Sequence, residues 1–263
     1  MSGKSDKKKP LVPRLRFPEF REAGAWEVKR LGDVCVIRTG KKDANEGHEN
    51  GIYPFFTCAE NHIYSNSHSF DCEAILVAGN ANVGQTKHYR GKFEAYQRTY
   101  VLTDFSDINT QYLYSYLGGN LQNDMALQVQ TSAMSYIKLP MLKNYKVPAP
   151  RNPTEQQKIA HCLSSLDEVI GLQAKKVQAL KQHKKGLMQQ LFPAEGETTP
   201  RLRFPEFREA GAWEVKRLGE VCDVLDNLRK PVARTKRNPG PYPYYGASGA
   251  IDYIDQYIFD ERL

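Results

Sequence analysis

The chain has 263 residues, room for one large domain or two smaller ones, with 40% apolar residues and a formal charge of +7. Much of that charge lies in the leader MSGKSDKKK, so the remainder is only mildly basic, as in a nucleic-acid binder with local patches or in many proteins that never touch DNA. Five scattered cysteines without a CxxC pair support neither a disulfide framework nor a zinc site. No apolar run approaches the roughly 18 residues of a membrane span or opens the chain as a signal peptide, so a reducing, cytoplasmic setting is expected.

In chain order, residues 1–12 are predicted to be a disordered basic leader, and the domain opens with the block PRLRFPEFREAGAWEVKRLG from Pro13 to Gly32. WEVKRLGD predicts a helical turn, CVIRT a short strand and GKKDANEGHENG a polar loop. YPFFTC and AILVA predict further strands. TKHYRGKFEAYQRTYVLTDF is β-rich, with Tyr, Phe and Val alternating against charge. Ile108, Tyr112, Leu113, Tyr116, Leu117 and Leu121 recur at helical spacing, in a helix expected to break at Gly118-Gly119. YKVPAP is a last extended segment, because proline keeps its predecessor out of the helical region. The fold class is α+β, mixed and strand-rich over residues 13–150.

Residues 151–192 change character. Thr154 and Gln157 form a Thr-x-x-Gln capping box, and a heptad follows. One seam holds Ile159, Leu166, Gln173, Leu180 and Leu187, and its companion holds Leu163, Ile170, Val177, Lys184 and Leu191. Apolar residues sustained over five heptads predict a coiled coil, a rod of about 55 Å that requires a partner helix. With a linker at 193–199 behind it, that partner is expected from another molecule, making a homodimer through the long helix.

At residue 200 the opening block returns. Pro200 to Gly219 repeats Pro13 to Gly32 without a change, at an offset of 187 residues, the period of a whole domain plus connector. Weaker echoes continue: Tyr53-Pro54 answers Tyr242-Pro243, and Phe70-Asp71 answers Phe259-Asp260. Residues 200–263 therefore read as the truncated start of a second copy of the domain, too short to bury a complete core.

The domain-scale repeat, the WEVKRLG opening, and PAPRNPTEQQKIAHCLSSLDEVI leading into a helix that ends KGLMQQLFP resemble the specificity subunit of type I restriction–modification systems, over nearly all of the chain from residue 13. The resemblance implies a target-recognition domain that reads one half of a split site in double-stranded DNA, followed by a conserved spacer helix. It also implies docking to a methyltransferase (modification) subunit, which would carry S-adenosylmethionine, and through the complex to a restriction translocase. This chain itself would bind no cofactor and no metal and would not be an enzyme. The alternative is a coiled-coil scaffold that docks partners without autonomous sequence-specific DNA binding.

The candidate DNA-binding residues fall in three places. Arg38, Lys41 and Lys42 lie in RTGKK, where the two copies diverge yet stay basic, through Arg229-Lys230 and RTKR at 234–237. GNANVGQT nearly matches a phosphate-binding loop, but Gln85 stands where the lysine belongs and a strand follows, so it reads as a loop between strands. Beyond it, Gln85, Lys87, His88, Arg90 and Lys92 form either a base- and phosphate-contacting segment or a solvated polar hairpin. Thr131 and Ser132 in TSAMS sit where the resembled family has a polar loop near DNA. Lys175, Lys176, Lys181, Lys184 and Lys185 make the second half of the helix basic, as a solvated face or a contact to DNA between half-sites. No HxxxH, HExxH or Asn/Asp-Pro-Pro-aromatic motif is present, so nothing in the sequence points to catalysis.

Overall fold

The computed structural model describes residues 11–129 and 136–259; the leader through residue 10 and TSAMS, with Thr131 and Ser132, lie outside the described residues. The chain packs as two compact units, Met1–Val177 and Gln178–Leu263.

In the first unit, WEVKRLGD opens as a strand, β1 (Glu27–Arg30), before a single helical turn, α1 (Leu31–Val34). The helical turn expected over the whole segment is thus corrected: Glu27 to Arg30 pair antiparallel with β8 (Lys146–Ala149), and only Leu31 and Val34 turn inward. β2 (Val36–Thr39), β3 (Tyr53–Phe56), β5 (Phe70–Ala78), β6 (Thr86–Ala95) and β7 (Thr99–Thr103) fall where strands were predicted. The short β4 (Ile63–Ser65) had no sequence signal. They form one six-stranded sheet in the order β2–β7–β5–β6–β3–β4, in which only the β3–β6 pair is parallel.

Strand alternation divides the core between the two faces of this sheet. Ile37, Ile75, Val77, Tyr100 and Leu102 face the helix α2 (Thr110–Val129), which answers with Leu113, Leu117, Leu121 and Met125. Phe56, Ala74, Leu76, Phe93 and Val101 meet on the other face. Helix α2 runs through Gly118-Gly119 without the expected break. A side chain at Gly119 would meet open space, and Gly118 faces only the Thr86 hydroxyl, so the two glycines cost helix propensity without forcing a kink. A further turn, α3 (Leu139–Lys143), leads into β8.

Helix α4 (Pro153–Leu191) is one continuous element of 39 residues. Its cap is Asn152 rather than Thr154. The Asn152 side chain accepts from the Thr154 N–H at 2.9 Å, and Pro153 takes the first helical position, where a missing N–H costs nothing.

The second unit carries no hydrophobic core among its described residues; only Pro200 is buried. Beyond the end of α4 it carries short 3-10 turns, the helical turn α5 (Leu218–Val221) and a hairpin of β9 (Pro239–Gly246) and β10 (Gly249–Ile254). Within it Arg237 stacks over Tyr244 at 4.2 Å and pairs with Asp252, so part of the basic RTKR segment is internally engaged.

The thiols give a direct check on these environments. Cys162 and Cys222 are exposed, whereas Cys35 is buried and its burial pushes the thiol up to about 12. A disulfide reagent at pH 8 will therefore modify Cys162 and Cys222 quickly, and Cys35 only after denaturant is added, because the thiolate is the nucleophile. Fast reaction of Cys35 in the native protein, followed by mass mapping, would contradict this packing.

Candidate nucleic-acid interface

Where β2, β5 and β7 end or begin, backbone hydrogen bonds tie the connecting loops to one another. The Gly40 N–H donates to the Thr99 carbonyl, Gln97 N–H to Lys42, Gly79 N–H to Arg98, and Ile137 N–H to Gly79. Side chains complete the web: Asn82 Nδ2 donates to the Cys58 carbonyl at 3.0 Å, Lys87 Nζ to Ala59 at 2.6 Å, and Gln97 Nε2 to Asp43 at 3.1 Å. Gly40 and Gly79 are obligatory here, since a Cβ on either would run into the carbonyl of Ala95 or Arg98. Residues 40–43, 57–59, 79–85 and 96–98 thus form one connected loop surface, backed by the buried Ile137. It exposes Lys41, Asn82, Gln97 and Arg98, a mixture able to neutralise phosphate and hydrogen-bond base edges.

The sequence candidates divide on this surface. Lys41 is exposed at it, and Lys87 is held in it against Ala59 and over the Phe56 ring, where burial lowers its pKa. Lys42 is turned to structure. Its amine donates to Ser65 and Ser67 and lies 3.6 Å from the Glu94 carboxylate, which is 1% exposed. Gln85 is at the cluster through its backbone carbonyl, which accepts from Ala78. Arg38 is exposed on β2, close enough to the Cys72 thiol to oppose the rise that burial causes there. His88, Arg90 and Lys92 run away along β6. His88 pairs with Glu73 at 2.9 Å, and the register sets Arg90 opposite Glu73 and Lys92 opposite Asp71. Acidic neighbours therefore offset the charge of that strand. Sequence reasoning missed Gln97 and Arg98, because YQR lay inside a stretch read as continuous strand; a polar triplet between two apolar runs was the available signal.

A second set of contacts fixes α4 to its domain. Arg16 reaches Glu155 with two 2.7 Å hydrogen bonds, and Trp26 Nε1 donates to the same carboxylate at 3.2 Å. Gln156, also buried, accepts from the Asn109 N–H and donates to the Pro150 carbonyl. Ile159 packs with Trp26, Tyr112 and Ala160, so this first seam position is used in docking the helix to its own domain. Leu163, Leu166, Ile170, Val177 and Leu180 stay exposed along the helix, while Leu187 and Leu191 are half-buried. Among the described residues no cluster of His, Cys, Asp and Glu could hold a metal ion, and no helix is long and apolar enough to cross a membrane.

A strand-rich domain that presents tied polar loops, and that grips the start of a long helix with an apolar stripe, has the plan of a recognition module on a spacer. The chain belongs to the family described as type I restriction modification DNA specificity domain, whose profile matches residues 24–182 and 211–262. It is similar to the type I restriction enzyme EcoDI specificity subunit of Escherichia coli, 33% identical over 79% of this chain and 51% of the relative. It is also similar to the MjaVIII specificity subunit of Methanocaldococcus jannaschii, 29% identical over 80% of this chain and 51% of the relative. The chain thus spans about half the length of the curated relatives it matches. In fold it resembles the crystal structure of the type I restriction-modification S subunit from M. genitalium, with a TM-score of 0.56 and 15% identity over 88% of this chain and 62% of that one.

Proposed function

We propose that this chain is a non-catalytic DNA-recognition subunit that binds one half-site of a bipartite target and directs methyltransferase subunits to it. The observation that carries this reading is the tied loop surface exposing Lys41, Gln97 and Arg98 in a chain of the DNA specificity family. In this reading, S-adenosylmethionine is bound by the modification subunit, and the restriction translocase joins through the complex. Two copies pair through the exposed stripe on α4, in the cytoplasm. Family membership favours this over a scaffold without DNA recognition.

Salt-titrated binding to a duplex library, with the methyltransferase subunit present, tests it. The wild-type chain enriches one sequence, and log K falls linearly with log salt. Lys41→Ala and Arg98→Ala each lower that slope by roughly 0.9 if each contacts one phosphate. Sequence-independent binding, or slopes unchanged in both variants, would sink the assignment.

A further inference from the structure

The repeated block gives the same twenty residues in two settings, and the comparison is an internal control. Locally the two copies fold alike. Phe20 N–H bonds Phe17 and Ala23 N–H bonds Phe20, as Phe207 bonds Phe204 and Ala210 bonds Phe207. Their surroundings differ. Phe20 is 7% exposed and Leu31 fully buried, whereas Phe207 is 56% and Leu218 72% exposed. Residues 27–30 form a strand on β8, while residues 214–217 join no ladder. Arg16 spends Nε and one terminal nitrogen on Glu155, and the other on the Gly24 carbonyl. Arg203 makes the corresponding bond to Gly211 and bonds Phe207 and Ala210, but its buried Nε has no partner among the described residues. Trp26 donates to Glu155; the Trp213 indole has no hydrogen-bond partner among the described residues and lies in an edge-type contact with Phe192 at 5.9 Å.

The second copy therefore offers a guanidinium with one unmatched nitrogen, an indole, a segment without strand partners and a row of exposed apolar side chains. The first copy shows what fits all four: Glu155, the edge of β8 that its own β1 occupies, and the core beside Tyr145 and Val147. We propose that residues 200–221 are a second, interchangeable occupant of that groove, delivered by a second copy of the chain and displacing its residues 13–34. Over 13–32 the two ligands are identical, so their contacts are equal and the effective concentration of each segment decides which one is seated. A buried donor left unmatched at Arg203 and a segment whose backbone groups join no ladder both favour docking over exposure. The helix pairing proposed above only brings the copies together, and the test reads pairing and exchange separately.

The chain has two tryptophans, one in each copy of the block, which makes exchange visible. A Trp26→Phe chain labelled with 5-fluorotryptophan reports Trp213 alone by fluorine NMR. A labelled Trp213→Phe chain reports Trp26 and so defines the resonance of the seated indole. The acceptor is an unlabelled chain carrying Arg16→Ala, Trp26→Phe and Trp213→Phe, which weakens its own segment. On mixing, the Trp213 resonance will move to the seated position, and Glu155→Ala in the acceptor will abolish the move. An acceptor that keeps Arg16 guards against misfolding and will give both resonances. A Trp213 resonance that stays in place while sedimentation shows paired chains overturns the proposal, as does failure of the chains to associate. Neither outcome bears on DNA binding, which is absent from the experiment.

Discussion

Lysine at both Leu166 and Ile170 will leave the chain monomeric at concentrations where the wild type pairs. These side chains are 54% and 66% exposed on the described chain and belong to the two seams of the heptad. Fully burying such a residue contributes about 1.5–3 kcal/mol, and roughly half of that is still available on pairing. Two positions on each of two helices give a total of about 3–6 kcal/mol, on the order of 10²–10⁴-fold in the dissociation constant. Lysine has good helix propensity, so far-ultraviolet circular dichroism will show the helix retained while sedimentation shows it unpaired. A clean wild-type monomer, or a variant that pairs as well as the wild type, would remove the seam as an interface.

Phe93→Ala will cost about 3–5 kcal/mol, read as a fall in the denaturation midpoint at unchanged slope. Phe93 is fully buried and lies at the centre of the aromatic group on the sheet face away from α2. It stacks on Phe70 with ring centroids 5.0 Å apart and meets Phe56 and Tyr89 edge-on at 5.7 Å. Removing it opens a cavity between β5, β6 and β3, the strands whose connections carry the loop surface. Loss of under about 1 kcal/mol would mean the site collapses freely and that Phe93 does not hold this face of the sheet together.

How much of this was legible beforehand follows from the range of the interactions involved. Strands such as YPFFTC and AILVA announce themselves by local composition, and the heptad after Pro153 does so by its period. WEVKRLGD misled because Glu27 to Arg30 become a strand only by meeting β8, more than a hundred residues away, and no local preference encodes that partner. The Gly118-Gly119 break failed because tertiary packing of Leu113, Leu117 and Leu121 overrides two weak positions. At the interface, residue type identified Lys41 but could not separate it from Lys42. The difference is Glu94, buried on another strand. Arg98 was invisible for the same reason: its prominence comes from the turn at residues 96–98, held by Gly79 and Lys42.

The loop web also says where this surface can vary. Gly40 and Gly79 sit where one loop's backbone touches another's, leaving no room for a side chain, while Lys41, Asn82, Gln97 and Arg98 project outward between those contacts. The pinned positions act as rivets and the projecting ones as interchangeable type. A library that holds the two glycines and randomises the four projecting residues should return folded proteins with altered preferences; one that spares the four and randomises the glycines should return few folded proteins at all.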